Sequence, residues 1–141
     1  MIHFELVTLD GTKFGQEVSE VVLPTPNGYI GIFEHHMPLV SLASPGVITI
    51  RHKASDPDNK LTHYATNGGV IEVLDNQVRV LVDEADHEDE INEQEVQKAI
   101  DEARRVKAQA KNQVSIEQAQ SLIDRHEVRL HVAGLRRHKR H

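Results

Sequence analysis

The chain has 141 residues, of which 38% are hydrophobic and 4% aromatic, and it carries a formal net charge of −6 with its ten histidines neutral. A mean hydropathy of −0.46, with no run near the roughly 20 apolar residues of a membrane span, predicts a water-soluble protein with one core or a small domain and an appendage. The lack of cysteine excludes a disulfide scaffold, a thiolate zinc site and a cysteine nucleophile.

The first part of the chain, to about residue 87, alternates between apolar and polar side chains as half-buried strands do. Turn residues separate the apolar runs, for example at Asp10-Gly11 and Asp75-Asn76. Short strands at intervals of about ten residues predict an all-β sandwich or flattened barrel. Strands are predicted over residues 2–6, 18–23, 47–50, 61–66, 70–73 and 78–82.

Residues 28–40 interrupt this alternation with glycine, paired histidine and proline. Their sequence, GYIGIFEHHMPLV, predicts a strand, a rigid turn and a second strand. The glycines allow backbone conformations that a Cβ would block, while Pro38 fixes φ and cannot donate to a sheet ladder. The stretch is either a hairpin loop with solvated histidines or a turn that presents His35, His36 and Met37 at one end of a β domain.

After the strand region the periodicity changes from two to about 3.6 residues, which predicts helices. Asn92 followed by Glu95 has the capping-box pattern of a helix start. A break at residues 111–114 precedes a second predicted helix, which is expected to begin at Ser115 and to end near a C-terminal cap at Gly134.

Each predicted helix carries an apolar stripe built largely from alanine, and two such helices with a short connection predict an antiparallel hairpin. The expected architecture is an all-β sandwich over residues 1–87 followed by an α-helical antiparallel hairpin over residues 88–141. The stripes comprise Val96, Ala99, Ile100, Ala103, Val106 and Ala110 in the first helix, and Ile116, Ala119, Leu122, Ile123, Leu130 and Ala133 in the second.

Charge is distributed unevenly over this hairpin. Residues 83–102 are strongly acidic, whereas the chain turns basic from Arg104 and ends RRHKRH. An antiparallel hairpin would place residues 136–140 beside residues 88–95, in exposed pairs worth about 0–1 kcal/mol each. The hairpin is therefore either a switch that an acidic partner could extend or a plain stable hairpin with solvated charges. The acidic balance and few aromatics argue against nucleic acid as a partner.

Other chemistry finds little support in the sequence. No histidine pair has the four-residue helical spacing of a zincin, and the acidic run lacks the glycine of a calcium loop, so no metal or other cofactor is expected. Gly68-Gly69 lacks a following Lys-Ser or Lys-Thr and indicates a bulge or tight turn. No nucleophile elbow or paired-carboxylate motif argues for an independent enzyme. A β-sandwich module that binds a metal or small ligand through His35 and His36 is the alternative function.

Four blocks of the sequence match the pattern of one known family. Residues 44–50, 67–73 and 80–85 correspond to a proline-glycine strand entry, a double-glycine turn and a last strand. Together with the first block, residues 28–40, they resemble the epsilon subunit of bacterial and chloroplast F-type ATP synthases. The chain departs from the family at Tyr29, which replaces a common acidic residue, and at Glu34-His35, which replaces proline-glycine. The first block matches at Gly28, Ile30, Gly31, Ile32, His36, Pro38 and Leu39.

The resemblance implies a non-catalytic subunit of the rotating central stalk. Its sandwich would dock on the gamma subunit and the polar loops of the membrane c-ring and help to couple proton-driven rotation to ATP synthesis. Its hairpin is similar to one that extends along gamma into the head, meets the alpha and beta subunits and blocks ATP hydrolysis. The resemblance places the rotor contact at Ile32, His35, His36, Met37 and Pro38. It places the contact with an acidic loop of the beta subunit at Arg125, Arg129, Arg136 and Arg137, for which a solvated helix face is the alternative.

Some epsilon subunits bind ATP through a motif at the start of the first helix, namely isoleucine or leucine, aspartate, two free positions, arginine and alanine. The aligned residues here begin at Ile91, with Asn92 in place of aspartate and Glu95 in place of arginine. A carboxylate facing phosphates is repulsive, so weak or absent nucleotide binding is expected, even with Arg125 and Arg129 nearby.

The start of the chain has no basic segment ahead of an apolar core, so no signal peptide is expected. The resemblance then implies a peripheral location, through the complex, at the cytoplasmic face of a bacterial plasma membrane. A chloroplast-encoded origin is the alternative.

Overall fold

The computed structural model describes residues 1–139 and contains two five-stranded β-sheets followed by two helices. Arg140, part of the predicted basic end, lies outside the described residues. Short 3-10 turns occur at Asp58–Lys60 and Glu88–Glu90. The elements are β1 (Ile2–Thr8), β2 (Gly11–Val18), β3 (Glu20–Thr25), β4 (Gly28–Ile32), β5 (Leu39–Ala43), β6 (Gly46–Arg51), β7 (Thr62–Thr66), β8 (Gly69–Leu74), β9 (Gln77–Val82), β10 (Ala85–His87), α1 (Glu93–Gln109) and α2 (Gln113–Lys139).

The two sheets pack face to face and confirm the predicted sandwich. The first sheet has the strand order β2-β1-β9-β8-β5 and the second has the order β10-β7-β6-β3-β4. All neighbouring strands are antiparallel except β1 and β9, which are parallel. The largest fully buried side chains of the sandwich core are Phe4, Ile2, Leu6, Leu23, Ile32, Ile48, Ile50 and Ile71.

The strands form where alternate residues are apolar, because successive side chains of a strand point to opposite faces of the sheet. In β9, for example, Val78, Val80 and Val82 are buried, and the residues between them are exposed. Each sheet thus turns one apolar face inward, which is why the period of two in the sequence identifies the strands.

Residues 28–40 do not form a hairpin. The strand β4 lies at the edge of the second sheet and β5 at the edge of the first, so residues 33–38 cross from one sheet to the other. The predicted strand, turn and strand are present, but the hairpin alternative is wrong, since β4 pairs with β3 and β5 with β8. The turn therefore lies where two sheet edges meet.

The double glycine serves a close approach of two backbones. Gly68 has a φ of +106°, and a Cβ on it would lie 2.9 Å from the carbonyl oxygen of Ala43. Gly69 begins β8, where a Cβ would lie 1.9 Å from the carbonyl oxygen of Leu81 on β9. Only a residue without a side chain fits between these strands at that point.

The predicted helical hairpin is present, but the start and the end of α2 differ from the predicted positions. Asn92 caps α1, as predicted, since its side chain accepts a hydrogen bond from the Glu95 amide at 3.1 Å. The second helix begins earlier than predicted, because the Asn112 side chain accepts from the Ser115 amide at 2.8 Å and takes the capping role expected of Ser115. Gly134 does not end α2. The helix continues through it to Lys139, and its last turn is held by contacts with the chain near residue 88.

A second, smaller core joins the hairpin to the outer face of the second sheet. Val132 and Ala133 on α2 are 0% exposed and belong to one apolar cluster with Val47 on β6 and Ala65 on β7. Ile91, Val96 and Ile100 complete the cluster. The apolar faces of the two helices thus pack against the sandwich as well as against each other. Val132 was not among the residues predicted for these faces.

We expect Gly69→Ala to destabilise the sandwich by about 1–3 kcal/mol or more, because the new methyl group has no room beside the Leu81 carbonyl. Gly15→Ala is the matched control, since a Cβ there meets only the Thr12 methyl carbon, at an ordinary 3.6 Å. Urea unfolding of both variants measures the difference. Equal midpoints for the two variants would contradict the close approach.

Candidate functional site

The crossover turn, residues 33–38, presents an exposed and partly apolar surface at one end of the sandwich. Met37 is 72% exposed and Phe33 is 54% exposed, whereas His36 is half-buried. Ile32, which the resemblance includes in a rotor contact, is 0% exposed and lies in the sandwich core. Its side chain therefore offers no surface to a partner.

Hydrogen bonds fix the shape of this turn. His35 has a φ of 64°, in the left-handed region that costs a residue other than glycine about 1–2 kcal/mol. Its amide donates to the Asn76 side-chain oxygen at 2.6 Å, which ties the crossover turn to the turn between β8 and β9. Nδ1 of His36 lies 2.7 Å from the Met37 carbonyl oxygen. His35 thus keeps a conformation that suits the glycine expected at this position.

Nothing in the described chain assembles the histidines into a metal centre. Within residues 1–139, no group of three or more His, Asp or Glu side chains has the geometry to hold a metal ion. His35 and His36 are neighbours, and their hydrogen bonds go to different parts of the chain. The alternative metal-binding module gains no support from this geometry.

The arginines predicted for a partner contact lie on α2 and are paired within the chain. Arg125 contacts Glu84 at 3.3 Å, and Arg129 contacts both Glu84 at 3.2 Å and Asp86 at 2.7 Å. The other two pairs lie nearer the end of the helix. Arg136 donates to the Glu88 carbonyl oxygen at 2.9 Å, and Arg137 contacts Glu93 at 3.0 Å.

Three of the carboxylates come from one extended segment. We define the acidic row as Glu84, Asp86 and Glu88, the alternate residues in and beside β10. The residues between them face the sandwich, since Ala85 is buried and the His87 ring packs edge-on against Tyr64 with centroids 5.2 Å apart. Within β10 the period of two therefore directs Asp86 away from the sandwich and toward α2. Glu84 and Glu88 flank the strand, and their contacts with Arg125 and Lys139 show that they face α2 as well.

Glu88 is the most buried member of the row. It is 5% exposed, and one carboxylate oxygen accepts from the Lys139 ammonium at 2.6 Å. The other carboxylate oxygen, Oε2, and the buried Nε of Arg136 have no hydrogen-bond partner among residues 1–139. A buried carboxylate with one cationic partner depends strongly on that partner, since removing it would leave the charge uncompensated.

His63, on β7, is a buried titratable group beneath the end of α2. Thr49 hydrogen bonds to its ring at 3.2 Å. Burial lowers its pKa below the ordinary value of 6.5, and the positive charges of Lys139 and His131 act in the same direction, while Glu88 opposes them. Docking of the hairpin thus favours the neutral form of the His63 imidazole.

His126, on α2, has a pKa shifted the same way. Partial burial is the largest cause that lowers this pKa, and the positive charges of Arg129 and Arg125 lower it further. The negative charges of Glu84 and Asp86 oppose the shift. Protonation of either histidine therefore disfavours the packed arrangement.

The residues aligned with the nucleotide motif line a cleft of about 250 Å³ between the start of α1 and α2. One side of the cleft, at the start of α1, is lined by Ile91, Asn92 and Glu95. The Asn92 side chain is already engaged in capping α1. The opposite side supplies His126 and a single arginine, Arg129. With Asp86 and Glu90, the lining holds three carboxylates against one guanidinium, a balance that repels a polyphosphate.

The fold defines a class of protein, a two-sheet sandwich with a C-terminal helical hairpin, and comparison with known sequences identifies the family. The family described as "ATP synthase, Delta/Epsilon chain, beta-sandwich domain" matches residues 1–88. The ATP synthase epsilon chain of Herpetosiphon aurantiacus is 33% identical over 98% of this chain and 98% of its own length. That of Chloroflexus aggregans is 32% identical over 99% and 96%. The chain belongs to the ATP synthase epsilon chain family, and is a non-catalytic central-stalk subunit.

Solved structures agree with this assignment. A chain of the Euglena gracilis mitochondrial ATP synthase, solved as an OSCP/F1/c-ring assembly, superposes with a TM-score of 0.79 at 25% identity, over 94% of this chain and 80% of that one. A chain from the central stalk and c-ring of the Tetrahymena thermophila enzyme shares the fold, with a TM-score of 0.59 at 16% identity. No helix within residues 1–139 has both the length and the apolar character to cross a membrane.

The residues that engage the arginines were not predicted as site residues. Glu84, Asp86 and Glu88 lie within the acidic run and alternate with Ala85 and His87. The alternation is out of phase with Val78, Val80 and Val82, so it indicates a new short strand after a break at residues 83–84, and it could have shown that Asp86 faces away from Ala85 and His87. The buried Glu88 had no sequence signal of its own, because its burial depends on α2.

We expect docking of the hairpin to weaken as the pH falls below about 6.5. Above that value both histidines are neutral in either arrangement. In the undocked chain His63 and His126 have ordinary pKa values, so as the pH falls they take up protons before the same residues of the docked chain. The docked form therefore loses stability until the pH reaches the lowered pKa values. Resonance energy transfer between dyes on cysteines introduced at Asn27 and Ser121 measures docking.

Carboxylate titration falls near pH 4 and is separate from this window. The matched control replaces both histidines by glutamine, which should flatten the response between about pH 7.5 and 5.5. An unchanged response in that control, or constant transfer in the original chain, would show that the histidines do not couple to docking.

Proposed function

We propose that the sandwich docks on the gamma subunit through the outer face of its first sheet. Leu42, Val70 and Leu81 are neighbours across β5, β8 and β9, and we call them the apolar stripe. They are 64%, 37% and 37% exposed, and Val40 beside them is 77% exposed. The hairpin packs on the other sheet, and within residues 1–139 these side chains remain exposed. A contiguous apolar patch on a well-packed sheet supports a role in protein binding.

The crossover turn is the proposed contact with the polar loops of the c-ring. It joins the edge of the first sheet, so it continues the surface that carries the apolar stripe. Its exposed residues His35, Met37 and Pro38, with half-buried His36, offer both polar and apolar contacts. Ile32 has no part in this contact because it is buried.

In this role the subunit helps to transmit torque between the proton-driven ring and the catalytic head, and so couples rotation to ATP synthesis. It is held peripherally at the cytoplasmic face of a bacterial plasma membrane through these contacts. The near full-length match to bacterial epsilon chains supports the proposal.

The hairpin is proposed to inhibit ATP hydrolysis in an extended form that lies along gamma and meets the alpha and beta subunits. Its core against the sandwich is small, with Val47 and Ala65 as the sheet side. An interface of this size is easier to open than the sandwich is to unfold. Arg125, Arg129, Arg136 and Arg137 would then meet an acidic surface of the beta subunit.

We expect Leu42→Glu to weaken binding of the chain to purified gamma by about 2 kcal/mol, close to thirtyfold in Kd, because it buries a charge within the apolar stripe. Leu9→Glu is the matched control, since Leu9 is 87% exposed and lies outside the stripe. Calorimetry of both variants with gamma gives the two constants. Equal weakening by both, or by neither, would remove the stripe from the interface.

We expect a chain that ends at Glu88 to assemble normally and to raise ATP hydrolysis of the complex by about twofold or more, since an inhibitor that occupies half the complexes removes half the activity. Copurification with gamma, alpha and beta measures assembly, and hydrolysis is compared per assembled complex. Full assembly with unchanged hydrolysis would contradict the inhibitory role.

A further inference from the structure

The acidic row and α2 pair in register and run in the same direction. Glu84 contacts Arg125 and Arg129, and Asp86 contacts Arg129. Two residues of a strand rise about 6.7 Å and four residues of a helix rise about 6 Å, so the spacing of these acids matches the spacing of the two arginines.

The pairing continues to the end of the helix, although the spacing no longer matches there, since Asp86 and Glu88 are two residues apart and Arg129 and Lys139 are ten. Glu88 pairs with Lys139 and, through its carbonyl oxygen, with Arg136. One side of α2 carries Arg125, Arg129, Arg136 and Lys139, and we call these four residues the basic face of α2. Every member of the acidic row is thus engaged by this one helix face.

These pairs join the helix to the sandwich, whereas other pairs lie within the hairpin. The acidic row is anchored because β10 pairs with β7. Arg104 with Glu127 and Arg137 with Glu93 connect α1 to α2, and they would move with the hairpin as a unit. Undocking of the hairpin as a unit would therefore break the contacts of the acidic row and leave the pairs between α1 and α2 intact.

The pairs of Asp86 and Glu88 with α2 are also more buried, on both sides, than the pairs between α1 and α2. The side chains of Arg129 and Asp86 are 23% and 28% exposed, and those of Lys139 and Glu88 are 21% and 6% exposed. Arg104 and Glu127 are 58% and 52% exposed. Salt screens the exposed pair far more effectively than the partly buried ones.

We propose that the acidic row is an internal electrostatic clasp, which holds the hairpin on the sandwich by occupying the basic face of α2. The clasp follows from these internal contacts alone, and only its effect on hydrolysis rests on the proposed inhibitory function.

The test reverses one ion pair in the full-length chain. Arg129→Asp and Asp86→Arg each place like charges together, and the double variant restores an opposite-charge pair with its polarity exchanged. Arg137→Glu is the control, because its pair with Glu93 lies within the hairpin. Spin labels on cysteines introduced at Asn27 and Ser121 report the distance from the sandwich to α2, and amide hydrogen exchange reports folding of β6 and β7.

Each single variant should give a longer and broader distance distribution and about tenfold faster exchange of the α2 amides. The double variant should return toward the original distance, and Arg137→Glu should retain it. Slow exchange in β6 and β7 shows that the sandwich remains folded. A double variant no better than the singles, or singles that keep the original distance, would overturn the clasp.

Hydrolysis by the assembled complex distinguishes failure of the clasp from failure of the proposed function. Asp86→Arg opens the clasp but leaves the basic face of α2 unchanged, so it should deepen inhibition. The double variant restores the clasp and carries an aspartate at position 129, so it should relieve inhibition. If the distances change as expected and hydrolysis does not, the clasp stands and the inhibitory role is wrong.

Discussion

The contact of α2 with the outer face of the second sheet determines most of the features beyond the sandwich. Val132 and Ala133 pack in one cluster with Val47 and Ala65, all of them small aliphatic side chains that allow a close approach. Only with the helix at this distance do the arginines reach the acidic row. The same contact buries Glu88 and forms the cleft at the start of α1. A few apolar side chains thus position the charged groups along the contact between α2 and the sandwich.

The parts of the fold that were predictable from the sequence are those determined locally. The strands were evident because each sheet buries one face, so a residue such as Val80 or Ile71 is buried between exposed neighbours. The cap at Asn92 was evident because its hydrogen bond spans three residues. The change of period near residue 88 indicated the order of the two domains, whereas only the resemblance to the epsilon family indicated the function.

The predictions that failed, or residues that were missed, depended on distant parts of the chain. The crossover between β4 and β5 is determined by which sheet each strand joins, and both a hairpin and a crossover need the same turn residues. Gly134 lies within α2 because contacts with the chain near residue 88 hold the helix beyond it. The pairing of Arg129 with Asp86 joins residues that are 43 positions apart. No local pattern identifies such partners.

The two outer faces of the sandwich differ in a way that separates a fixed contact from a movable one. The first sheet exposes the apolar stripe, of which Leu42 is the most exposed residue, and no element of the described chain packs on it. The second sheet is covered by the hairpin, through a small apolar cluster and partly buried ion pairs. Because the faces lie on opposite sides of a core about 10 Å thick, release of the hairpin leaves the stripe unchanged. A stalk contact through the stripe would therefore persist while the hairpin moves.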